Sequence, residues 1–145
     1  MKRIFNTNYN HQSLDFGLLI FRVGFASIML MQHGWKKLGV VLGGGEIQFG
    51  DPVGLGMTAS FYLVIFAEVF CSLLVILGLF TRLAVIPLII AMSVACFIAH
   101  SADPFSRQEP SLMFLIAFIF LLFSGPGRYS IDSIISRNTN KRRTF

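Results

Sequence analysis

The stretch GLLIFRVGFASIML, residues 17–30, is largely apolar and carries one charge, Arg22. A second apolar stretch, IFAEVFCSL at 65–73, carries one charge, Glu68. A guanidinium in such a setting binds carbonyl oxygens or an anion, and a carboxylate can orient it or relay a proton. Positions 22, 26, 29, 33 and 37 share one helical face, so Arg22, Ala26, Met29, His33 and Lys37 form a stripe that is polar at both ends. His33, Lys37, His100 and Glu109 fall near the same ends of their apolar segments and form a second candidate cluster, for ligand binding. No helical HxxxH or ExxH spacing joins two ligands, so no metal site is predicted.

The elements that must position these groups are membrane spans. The chain is 54% hydrophobic and only 13% charged, with 16 phenylalanines, against about 25% charged in soluble domains. Four apolar segments have spanning character: 14–38, 58–80, 83–100 and 110–124, the last extendable back to 104. The expected fold is all-α, a polytopic four-transmembrane-helix bundle. Ser13 is a candidate cap for the first helix and Thr81 for the third. The N-terminus is polar for too long to read as a signal peptide, so the first apolar segment is expected to stay in the protein. Gly125-Pro126-Gly127 ends the fourth helix, and Arg128 and Asp132 suit a short interfacial helix after it.

Basic residues set the orientation. Lys2, Arg3, Arg82, Arg128, Arg137, Lys141, Arg142 and Arg143 fall on one side, and Lys36, Lys37 and Arg107 on the other. Both termini are therefore expected in the cytoplasm. The net charge of +5 reads as topology signal and lipid-headgroup contact, not as nucleic-acid binding. The 39–57 loop, with seven glycines, matches no phosphate-loop pattern and is expected to be flexible or folded back on the bundle. Cys71 and Cys96 lie in apolar runs and are expected to be unpaired.

Depth can be counted at about 1.5 Å per residue, which sets Arg22 roughly 12 Å and Glu68 roughly 18 Å from the inner ends of their segments. An Arg22–Glu68 pair is expected, since each charge alone costs about 2.5–3.5 kcal/mol to insert. Such a pair either forms a catalytic or binding site or fixes which helix packs on which.

The ordered set RVGFASIMLMQHGWKKL at 22–38, AEVFCSLLVILGLFTRLA at 67–84 and PSLMFLIAFIFLLFSGPGRYSID at 110–132, with an apolar third segment ending in His100, resembles the DoxX family of small four-helix bacterial membrane proteins. The resemblance divides the chain into a cytoplasmic segment 1–13, a DoxX-like membrane domain 14–135 and a basic tail 136–145 in the bacterial inner membrane. It implies redox chemistry, because similar proteins include subunits of thiosulfate:quinone oxidoreductase and a membrane partner in an actinobacterial oxidative-stress complex. A quinone headgroup or a sulfur oxyanion is the ligand so implied, with Arg22 and Glu68 as its reactive site.

Three functions follow from these readings. The first is a membrane subunit of a quinone- or sulfur-linked redox assembly. With no haem, flavin or iron–sulfur signature, no intrinsic cofactor is expected, and electrons must come from a redox partner protein or with the substrate. Any oxidoreductase activity would then be non-autonomous. The second is a non-catalytic scaffold or accessory subunit. The third is a small anion or proton transporter, for which a four-helix chain would have to form a homo-oligomer.

Overall fold

A computed structural model describes residues 10–142. Lys2, Arg3 and Arg143 of the charge count lie outside the described residues, as do 1–9 of the N-terminal segment and 143–145 of the tail. Among the described residues, four helices are long and apolar enough to cross a membrane: α1 (His11–Leu42), α2 (Met57–Leu77), α3 (Thr81–Ala99) and α4 (Phe105–Ser124). A fifth, polar helix α5 (Ile131–Arg142) follows the 125–130 turn. The all-α, four-span expectation is met. Below, the face that carries the 78–80 and 125–130 turns is the terminal face, and the opposite one is the loop face.

The boundaries differ from expectation in instructive ways. Asn10, not Ser13, caps α1 by accepting a hydrogen bond from the Gln12 N–H at 3.1 Å. The helix then runs for 32 residues, about 48 Å, against a hydrocarbon thickness of about 30 Å. It must protrude from the apolar layer. Thr81 does not cap α3. The Asp132 carboxylate does so from α5, accepting from the Phe80 N–H at 2.8 Å and the Thr81 N–H at 2.9 Å.

The helices form a bundle in which α3 and α4 pack most extensively, α1 packs on α2, α2 on α3, and α1 meets α4 only lightly. The core mixes small and large side chains: Ala26 and Met29 of α1, Ala67, Cys71 and Val75 of α2, Ala84 and Leu88 of α3, and Phe118 and Leu121 of α4. Small residues let helix backbones approach closely in lipid, where burial of apolar area supplies no drive. Many other large apolar side chains, such as Ile20, Phe70, Leu83, Ile90, Ile116 and Phe123, stay exposed and face lipid. Cys71 and Cys96 are buried and free, as their apolar settings lead one to expect.

The 43–56 loop folds back on the bundle. Phe49 packs on Phe61, ring centroids 5.4 Å apart. Asp51 accepts from the N–H groups of Gly56 at 2.8 Å and Leu55 at 3.0 Å, and from the Ser60 hydroxyl at 2.9 Å. These bonds, that from the Gly56 N–H foremost, hold the Asp51 carboxyl below the usual carboxylate range. Its contribution to stability is therefore full above the unfolded value, about 3.9, and fades as pH falls through the lower folded value. Thermal midpoints in detergent should differ between wild type and Asp51→Ala at pH 6, and the gap should begin to close below about pH 4.

Candidate functional site

Two polar stations lie within the bundle. On the terminal face, Arg22 is only 1% exposed. Its Nη1 donates to the Pro126 carbonyl at 2.7 Å and its Nη2 to the Tyr129 carbonyl at 2.9 Å. The turn can offer these carbonyls because Gly125 and Gly127 both take positive φ, 75° and 74°. Gly78, in left-handed conformation at φ 70°, ends α2 beside the guanidinium. A Cβ there would collide with Arg22 Nη1 and come within 2.6 Å of Ser130 Cβ.

Asp132 completes this station. Besides capping α3, its N–H donates to the Gly78 carbonyl at 2.9 Å, and its negative charge attracts Arg22. Asp15 of α1 accepts from the Arg128 N–H at 3.0 Å. Four parts of the chain, α1, the 78–80 turn, the 125–130 turn and α5, are thus tied at one point. Phe80 adopts φ 48°, a left-handed conformation uncommon for a bulky residue, held by the Asp132 clamp.

The second station is nearer the loop face. The Lys37 ammonium donates to both Glu68 carboxylate oxygens, at 2.8 and 2.6 Å. The Glu68 side chain is 3% exposed and the Lys37 side chain 23%. Glu68 sits in a π-helical segment of α2, Phe66–Cys71, which packs against another in α1, Leu30–Gly34. A third, Ala95–Ala99, closes α3. Such widened turns recur at functional sites because they displace one carbonyl from the regular ladder. The contact between the first two is tight: a Cβ on Gly34 would lie 2.8 Å from the Glu68 carbonyl oxygen. His33, in the same segment as Gly34, sets its ring edge-on to Phe114 of α4, centroids 5.6 Å apart.

The expected Arg22–Glu68 pair does not form, and the helix register explains why. Arg22 is level with Gly78, and Gly34 is level with Glu68. The two charges are therefore separated by 10 to 12 residues along the bundle, roughly 15–18 Å. Counting depth from residue 14 placed α1 too far toward the loop face, because the helix begins outside the apolar layer. Arg22 instead takes backbone carbonyls, and Glu68 takes Lys37.

The expected cluster of His33, Lys37, His100 and Glu109 also divides. His33 and Lys37 belong to the Glu68 station. His100 turns to Asp103 in the α3–α4 connection, Nδ1 to Oδ2 at 2.8 Å. Gln108 locks that connection by donating to the His100 and Asp103 carbonyls at 2.8 and 3.0 Å. Glu109 is exposed at the start of α4. Among the described residues, no group of three or more His, Cys, Asp or Glu is placed to hold a metal ion.

A membrane bundle with this sequence order matches the DoxX family over residues 17–101, more than half of the chain, and the protein belongs to that family. It is a multi-pass protein of the bacterial inner membrane. Among particular relatives, an uncharacterized protein of Haemophilus influenzae is 31% identical over 115 residues, covering 72% of this chain and 81% of the relative. An uncharacterized membrane protein of Mycobacterium tuberculosis is 36% identical over 90 residues, covering 48% of this chain. The chain spans about half the length of that mycobacterial relative, 52%. No solved structure matches the chain significantly.

The two stations should respond differently to substitution. Gly78→Ala adds a Cβ against Arg22 at a positive φ and should cost about 1–3 kcal/mol, read as a lower unfolding midpoint in detergent. Lys37→Met leaves a lone buried carboxylate and Glu68→Gln a lone ammonium, and breaking such a pair costs about 3–5 kcal/mol. The double variant should recover much of the loss. A loss in the double variant equal to the sum of the two single losses would show that the two groups do not depend on each other.

Proposed function

We propose that this chain is the integral membrane subunit of a redox assembly, with its terminal face cytoplasmic, and that Lys37, Glu68 and His33 form its ligand site. The observation that carries this reading is a carboxylate held deep in an apolar bundle by an ammonium that itself keeps partial access to the outside. Intramembrane ionisable groups are costly and mark pathways or binding sites. The reading moves the site from Arg22 to Lys37 and keeps Glu68.

The substrate class that suits the site is a quinone headgroup. Reducing a quinone takes two electrons and two protons. Lys37 can donate a hydrogen bond to a quinone carbonyl, and Phe114 offers an aromatic wall beside His33. Glu68 and His33 are the groups able to deliver or accept protons at that depth. The electrons belong to a partner protein, in keeping with a subunit that is not an enzyme on its own.

A scaffold role is the second reading. It is favoured by Arg22, a buried charge whose hydrogen bonds both go to backbone carbonyls and hold the fold together. The readings part on one measurement. Protein purified gently from native membranes should carry near-stoichiometric quinone by mass spectrometry, falling at least tenfold in folded Glu68→Gln and Lys37→Gln variants. A partner protein retained by all samples, with no quinone in any, would establish the scaffold reading instead.

A further inference from the structure

The terminal face carries a feature that neither station uses: an open cavity of about 450 Å³ between the start of α3, the 125–130 turn and α5. Its wall is mostly carbon, from Phe80, Leu83 and Pro126, and its polar edge includes Arg82 and Ser133. Phe80 and Leu83 are 58% and 65% exposed, so the apolar wall opens toward the lipid around the bundle. The cavity therefore lies where hydrocarbon meets headgroup.

Arg82 is the charge at this edge, and it is placed. Its guanidinium lies over the backbone of the turn, where a Cβ on Gly125 would come within 3.3 Å of Nη2 and 3.4 Å of Nε. Among the described residues its one hydrogen bond is a long one, Nη2 to the Phe123 carbonyl at 3.5 Å. Among the described residues no carboxylate stands within ion-pair distance of it. Asp132 also lines the cavity, but its two oxygens are held by the Phe80 and Thr81 N–H groups. Among the described residues, the buried Thr81 hydroxyl has no hydrogen-bond partner.

We propose that this cavity binds one anionic phospholipid. Arg82 takes the phosphate through its free N–H groups, and the Ser133 hydroxyl supplies a further donor. The Phe80, Leu83 and Pro126 wall covers the glycerol and the first acyl carbons. A free phosphate ion offers the same charge to Arg82 but leaves that apolar wall uncovered, so the lipid is the occupant the wall selects. Charge-assisted bonds to phosphate are the strong kind, and a guanidinium presents them in a fixed fork.

Native mass spectrometry of the detergent-solubilised protein tests this, with phosphatidylglycerol, phosphatidylcholine and inorganic phosphate titrated in turn. The expected result is one phosphatidylglycerol retained per chain, at least tenfold more tightly than phosphatidylcholine. Arg82→Gln should abolish that preference. Ser133→Phe, which fills the cavity from α5 and leaves Arg82 in place, should lower retention as much and serves if Arg82→Gln fails to fold. Equal retention of the two lipids by wild type, or unchanged retention in both folded variants, would overturn the site. Displacement of the lipid by equimolar inorganic phosphate would reassign it to a free anion.

Discussion

Arg22 must satisfy its buried guanidinium without a carboxylate in reach, and the terminal half of the molecule is arranged around that need. Two carbonyls have to turn inward, so the chain after α4 makes a glycine-bounded turn. The guanidinium has to pass beside the end of α2, so that helix closes on a residue without a side chain. The turn has to stay where it is, so Asp15 holds it from α1 and Asp132 holds the adjacent α2–α3 connection from α5. Each tie is a hydrogen bond with a charged partner, worth about 1.5–3 kcal/mol. Together they join segments that apolar packing alone would leave free to slide, because in lipid one apolar helix face is as good as another.

The loop-face half follows another logic. There the polar groups pair with each other across two widened helical turns, and the backbones touch at Gly34. A charge bound to carbonyls has one arrangement. A charge bound to a second ionisable group has several, since either partner can change its proton or accept a ligand in place of the other. The division of labour between the halves, fixed at one face and exchangeable at the other, is the physical ground for locating chemistry at Lys37–Glu68.

Much of this was legible in the residues. Apolar length yields the four helices, and the 3.6-residue period places Arg22, Ala26 and Met29 on the buried face. Arg22, inside the apolar run of α1, and Glu68, the one charge of α2, mark both stations. The pairing was not legible, for two reasons. Arg22 donates through Nη1 and Nη2 to backbone carbonyls, which every residue possesses, so no side chain announces the partner. And depth counted from hydropathy assumes that a helix starts where the apolar layer starts, whereas α1 begins well before it. Asp132 shows a third limit. Thr81 sits beside the α3 N-terminus and looks like its cap, yet a carboxylate 51 residues further along does the work, and only the fold brings it there.

The Arg22 contacts also have a consequence in time. Their partners lie 104 and 107 residues downstream. A chain made and inserted from its N-terminus delivers α1 to the bilayer long before Pro126 and Tyr129 exist. Until then those two carbonyls are absent, and the guanidinium must keep its water. When the 125–130 turn emerges, its carbonyls can take the place of that water. The first helix is thus locked by a segment made more than a hundred residues after Arg22.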